Sequence, residues 1–209
     1  VPRLCAATKL LFIGDSITEW GRLEDPEALG GGYVRLIHDQ LAARDPVTAP
    51  IVINQGIRSH QIPDLQARWQ RDVLDHTPDV VSIYVGINDV TYGLFPHTTG
   101  CPLPQFVAGY HDILERTRQA LPAAIIVLCE PSVLWLPELP TANASLKPYV
   151  AVVRRLAHQL DAKLVGLHDA FEQARTARPD IAWTIDGIHP SSAGHALIAR
   201  LWLAAMNLL

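Results

Sequence analysis

Lys9-Leu10-Leu11-Phe12-Ile13 runs straight into Gly14-Asp15-Ser16-Ile17-Thr18 near the start of the chain. The first five residues are short, free of proline and apolar at both alternation phases. That is the pattern of a parallel strand buried on both faces. The next five place a glycine, a carboxylate and a hydroxyl at the strand's carboxyl end.

Four similar runs follow, at residues 51–54, 80–85, 124–129 and 163–167. Amphipathic stretches separate them. Tyr33, Leu36, Ile37 and Leu41 form one helical stripe; Ile62, Leu65, Trp69 and Val73 form a second. Phe106, Tyr110, Ile113 and Leu114 make a third, Val152, Val153, Leu156 and Leu160 a fourth, and Ile198, Trp202 and Met206 a last. Strands alternating with helices imply βαβ units and a parallel sheet covered on both faces. The expectation is one α/β domain over residues 1–209, a three-layer α/β/α sandwich with five parallel strands in the flavodoxin-like order. Ligands of such sheets bind beyond the carboxyl ends of the strands. The turns at Gly14-Asp15-Ser16, Asn54-Gln55-Gly56 and Gly86-Ile87-Asn88-Asp89 should therefore converge on one edge. Proline-rich loops at 96–104 and 131–148 are candidates for the walls of a cleft there.

Composition narrows the function classes. A net charge of −4 over 209 residues, without a basic cluster, argues against a nucleic-acid partner. No apolar run approaches the ~20 residues that span a bilayer, and no signal peptide is visible, so the expectation is no membrane partner and a cytoplasmic location. Cys5, Cys101 and Cys129 are an odd and scattered set, unsuited to a disulfide framework. No cysteine or histidine spacing suggests a zinc site, and no cofactor or metal is expected.

The chemistry lies at the two ends of the chain. Asp186 and His189, three residues apart in Asp186-Gly187-Ile188-His189, can meet within one turn. The carboxylate would then receive the imidazole Nδ1–H and leave Nε2 free to take a proton from Ser16. Pro190 and the residues after it read as a helix start, which puts His189 at a helix entrance. Taken alone, Ser16 reads first as a helix N-cap, and Asp186 and His189 equally as residues of a solvated loop. Asn88 offers an amide at the end of strand three, and Gly56 a backbone N–H open to close approach. With the Ser16 N–H they form a candidate oxyanion hole.

In this order, the motifs resemble the SGNH hydrolase superfamily, the GDSL esterases and lipases, over nearly the whole chain. That resemblance implies Ser16 as nucleophile, His189 as general base and acid, and Asp186 as its partner, with Ser16, Gly56 and Asn88 as oxyanion donors. The stretches GDSITEWGR (14–22), LGGGYV (29–34), DLQARWQRDV (64–73), PDVVSIYVGINDV (78–90) and HPSSAGHALIAR (189–200) resemble the bacterial acetylxylan esterases within it. Those enzymes read Ile-Ser-Gly after the equivalent of Gly56, where this chain has Ile57-Arg58-Ser59-His60. The expected activity is removal of short acyl groups from O-acetylated xylo-oligosaccharides or related sugars. A short-chain lipase or thioesterase is the alternative, and a carbohydrate-binding protein on an inactive esterase scaffold is the non-enzymatic one. The implied partner is a small-molecule or oligosaccharide ester, and the resemblance includes homo-oligomers.

Asp15, Trp20, Arg58, Tyr92, Trp135 and Trp183 are the candidate substrate contacts. Asp15 and Asp89 flank the site, but a glycosidase pair would have to face each other across a sugar. His60 and His97 read as surface loop residues. His168-Asp169, expected to end strand five, is a rival His/Asp pair whose members should point to opposite faces.

Overall fold

Leu10 and Phe12 project from one side of the first strand and Leu11 and Ile13 from the other, and all four are fully buried. The strand therefore separates two apolar layers, as its unbroken hydrophobicity requires. In this computed structural model, which describes residues 4–209, β1 (Lys9–Gly14) is an interior strand of a five-stranded parallel sheet. The other strands are β2 (Ile51–Gly56), β3 (Val80–Tyr84), β4 (Ile125–Cys129) and β5 (Lys163–Val165), in the order β2-β1-β3-β4-β5. The doubly wound α/β/α expectation and its strand order hold.

On the Leu10/Phe12 face pack α2 (Tyr33–Arg44), α7 (His168–Ala177) and α8 (Ser192–Ala205). Phe12 meets Trp202 with ring centroids 5.1 Å apart and Tyr33 edge-on at 5.9 Å. Against Leu11 and Ile13 pack α3 (Ile62–Asp72), α5 (Leu103–Ala120) and the second half of α6 (Ala142–Gln159). The two fully buried indoles satisfy their N–H groups inside the core, Trp69 on Thr117 Oγ1 and Trp202 on Ser82 Oγ, both at 3.0 Å. Both tryptophans are packing residues.

Element ends differ from the sequence reading in ways that matter for the site. β1 and β2 continue to Gly14 and Gly56, which pair with each other, so both turns begin later. β5 stops at Val165, and His168 and Asp169 open α7 instead of ending a strand. Pro148 lies inside α6, so the loop after β4 ends at residue 141 and not at 148. Two short helices complete the active edge: α1 (Ser16–Glu19) after β1 and α4 (Ile87–Thr91) after β3. Among the described residues no helix is long and apolar enough to cross a membrane.

Candidate active site

The strand order reverses at β1, with β2 on one flank and β3 on the other, and this switch point opens a crevice at the carboxyl ends of the parallel strands. Ser16 is the first residue of α1. The N-cap is Asp15, whose Oδ1 accepts the Ile17 N–H at 3.0 Å, so the serine hydroxyl has no capping duty. It lies 2.9 Å from His189 Nε2. On the far side of the ring, His189 Nδ1 donates to Asp186 Oδ2 at 2.6 Å.

The loop carrying this pair is tightly specified. Asp186 Oδ1 accepts the N–H groups of Ile188 and His189 at 2.9 and 2.7 Å, closing the turn on its own carboxylate. Gly187, at φ +86°, makes the turn, and a Cβ there would lie 2.3 Å from the Trp135 carbonyl. Burial pulls the Asp186 carboxyl upward, but these hydrogen bonds outweigh it and hold the group below the ordinary carboxylate range. Asp186 is therefore an anion beside the imidazole. His189 precedes α8 by three residues; Ser191 caps that helix through the Gly194 N–H, and Pro190 bridges to Thr184.

Asn88 sits on α4, nearly buried, and donates through Nδ2 to the His60 carbonyl at 3.0 Å. One amide hydrogen is thus fixed and the other faces the crevice. Ser16, Asn88 and His189 share an open cleft of about 620 Å³, walled by Trp20, Arg58, Ser59, Tyr92, Ile185 and Ile188 among others.

Gly56 is not in that wall. Its N–H donates to Asn54 Oδ1 at 2.9 Å, and a Cβ on it would lie 2.2 Å from the Glu19 nitrogen. The glycine allows α1 to lie against β2; its donor is already used. Asn54 completes the brace by donating to the Thr18 and Leu29 carbonyls at 2.7 and 2.8 Å. The residue of that loop that does reach the cleft is Ser59, at φ +66°, a left-handed conformation rare for a residue with a side chain. Its N–H has no acceptor among the described residues.

Of the candidate substrate contacts, Trp20, Arg58 and Tyr92 line the cleft. Three do not. Asp15 is completely buried as a cap, and Trp183 spends its indole N–H on the Arg178 carbonyl and braces the loop before α8. Trp135 faces a separate cavity of about 930 Å³ beside α6 and α7, beneath the Arg175 guanidinium and bonded to Glu172. Trp20 holds φ +29°, with its ring 4.4 Å from the His195 ring and 6.0 Å from that of His189. His195 is buried and kept neutral, its pKa pushed down to about 4 by burial and then by the field of His189.

Two supporting residues were not singled out by the sequence reading. Arg68, nearly buried, donates to the Gly14 and Gln55 carbonyls at 3.1 and 2.7 Å and to His60 Nδ1 at 3.1 Å, with Asp72 as its counter-ion at 3.0 Å. It ties the ends of β1 and β2 to the loop that orients Asn88, so His60 is an anchor and not a surface residue. Glu19, also buried, holds Arg58. Asp89 accepts the Ile62 N–H and fixes the start of α3. Its side chain and that of Asp15 each keep a second oxygen buried and unpartnered, and burial first of all lifts both carboxyls to about 7. Neither lines the cleft, which removes them as a glycosidase pair. No cluster of metal-ligating side chains occurs among the described residues.

The GDSL-like lipase/acylhydrolase family matches residues 12–197, which include Ser16, Asn88, Asp186 and His189. The chain belongs to that family. A relative, the acetylxylan esterase of Geobacillus stearothermophilus, is 35% identical over 96% of this chain and 94% of its own. A catalytic mutant of that organism's acetylxylan esterase Axe2 superposes with a TM-score of 0.86 at 32% identity, covering 98% of this chain and 96% of the other. LAE5, an α/β hydrolase enzyme from the metagenome of Lake Arreo, Spain, gives 0.87 at 32% identity, covering 99% and 98%. This GDSL hydrolase is accordingly a carboxylic ester hydrolase with acetylxylan esterases among its relatives.

Proposed function

We propose that the protein removes acetyl groups from O-acetylated xylo-oligosaccharides or related sugars through an acyl-enzyme formed on Ser16. The observation that carries this reading is the unbroken relay from Ser16 Oγ to His189 to Asp186, at 2.9 and 2.6 Å, beside donors without partners.

His189 Nε2 takes the Ser16 proton as Oγ bonds to the ester carbonyl carbon, and Asp186 stabilises the imidazolium. The carbonyl oxygen becomes an oxyanion. The donors for it are the Ser16 N–H, which as a first-turn amide has no helical partner, the free Asn88 amide hydrogen, and the Ser59 N–H. Ser59 takes the place expected for Gly56, whose N–H is committed to Asn54. The C–O bond then breaks as His189 returns the proton to the departing alcohol. Water, deprotonated by His189, attacks the acetyl-enzyme and releases acetate. Trp20 and Tyr92 give the cleft the aromatic walls that suit a sugar ring, and the relatedness to acetylxylan esterases supports that substrate class.

Acetate release from acetylated xylo-oligosaccharides, measured as kcat/KM against para-nitrophenyl acetate, tests the reading. A sugar ester turned over at least as efficiently supports it. Hydrolysis of the activated ester alone moves the substrate to lipids, thioesters or other acylated metabolites.

A further inference from the structure

Arg58 lines the cleft with its side chain 64% exposed, while the carboxylate that holds it, Glu19, is 1% exposed. The pair is oriented, cation outward and anion inward. Glu19 Oε2 takes only the Nε–H, at 2.7 Å, and both terminal amino groups of the guanidinium have no partner among the described residues. A guanidinium fixed at Nε presents its two Nη groups as an end-on fork, the geometry that receives a carboxylate through two parallel hydrogen bonds. Apart from this pair and His189, the cleft wall carries no carboxylate and no basic side chain, being built from Trp20, Ser59, Thr91, Tyr92, Ile185, Ile188 and their neighbours. The exposed Glu24 lies within range of the Arg58 field but forms no ion pair with it.

We propose that Arg58 is a specificity residue that selects esters bearing a carboxylate on the alcohol moiety, such as acetylated oligosaccharides substituted with a uronic acid. The proposal rests on the esterase reading of Ser16 and refines its substrate. The alcohol side is the one that must leave through the open mouth, where Arg58 stands, while the acyl carbon sits at the oxyanion donors.

Two isosteric probes isolate the charge: meta-carboxyphenyl acetate and meta-carbamoylphenyl acetate. The native enzyme is expected to prefer the carboxylate by about tenfold in kcat/KM, the range of a charge-assisted hydrogen bond. The preference should shrink with added salt, survive in part in Arg58→Lys and vanish in Arg58→Gln. Because the readout is a ratio within one enzyme, partial unfolding of a variant cancels. Equal rates for the two esters in the native enzyme, or a preference untouched by Arg58→Gln, would overturn the proposal and leave the esterase reading intact. Hydrolysis of neither ester would remove both.

Discussion

The side-chain amide of Asn88 is tied to the carbonyl oxygen of His60, 3.0 Å away, and the His60 ring is in turn held by Arg68. An amide anchored through one hydrogen presents the other in a fixed direction. This is the preorganisation that makes an oxyanion donor effective, because nothing has to reorient as charge develops. Asn88→Ala is expected to lower kcat by ~10²–10³ with KM little changed. Rates on para-nitrophenyl acetate, normalised by active-site titration, check this; an unaltered kcat would reduce Asn88 to a helix-start residue.

Gly56 and Ser59 should respond in opposite ways. Gly56→Ala forces a methyl into the Glu19 backbone, 2.2 Å from its nitrogen, and should destabilise the fold by several kcal/mol. Ser59→Gly relieves a side chain held at φ +66° and should stabilise by ~1 kcal/mol while kcat is retained, because the N–H remains. Urea unfolding with parallel kinetics distinguishes these outcomes, and a large fall in kcat for Ser59→Gly would show that its hydroxyl, not its amide, matters.

Asp186→Asn preserves the shape of the loop but not the charge beside the imidazole. With an amide facing Nδ1, the ring can settle in the wrong tautomer and its protonated form loses its counter-ion. A drop in kcat of about 10⁴, with the melting temperature nearly unchanged, is the expected signature. A variant within tenfold of the native rate would mean that another group orients His189.

Asp89 carries a distinct pH dependence. Its carboxyl titrates near 3.8 in the unfolded chain and at about 7 in the fold, where burial favours the neutral form. Between those values the folded state keeps a proton that the unfolded state has released, so this group's stability contribution, complete below pH ~4, is lost as pH rises to about 7. Asp89→Asn removes the titration and keeps an acceptor for the Ile62 N–H. The variant should therefore gain on the native protein as pH rises from 4 to 7, by an amount on the order of a few kcal/mol. Denaturant midpoints for both proteins across that range test it, and parallel curves would contradict it.

The fold was legible because the strands are apolar at both alternation phases and the helices carry single stripes, so Leu11 and Phe12 announce two layers between them. The meeting of Ser16, Asp186 and His189 was legible because a strand-end turn and a three-residue separation restrict where side chains can go. The loop after β2 was read less well. Asn54 stands two residues before Gly56, the spacing at which an asparagine side chain captures a backbone N–H, and that signal points to a donor already in use. Ser59 was hidden because a left-handed serine has no marker in composition. Arg68 was hidden by its position on an otherwise polar helix face, since its partners are backbone carbonyls brought in by β1 and β2. Trp135 and Trp183 were placed near the cleft by loop assignment alone. Which cavity an aromatic faces depends on packing that sequence order does not encode.

The central claim, an acyl-enzyme on Ser16, is tested most directly by acid-quenching the enzyme during turnover of acetylated xylo-oligosaccharides and mapping the adduct by peptide mass spectrometry. The expected result is one acetyl group on the peptide containing Ser16, more abundant in Asp186→Asn if deacylation slows, and absent in Ser16→Ala, which should also release no acetate. Acetate release by Ser16→Ala, or an acetyl group found on any other residue at the turnover rate, would contradict the account.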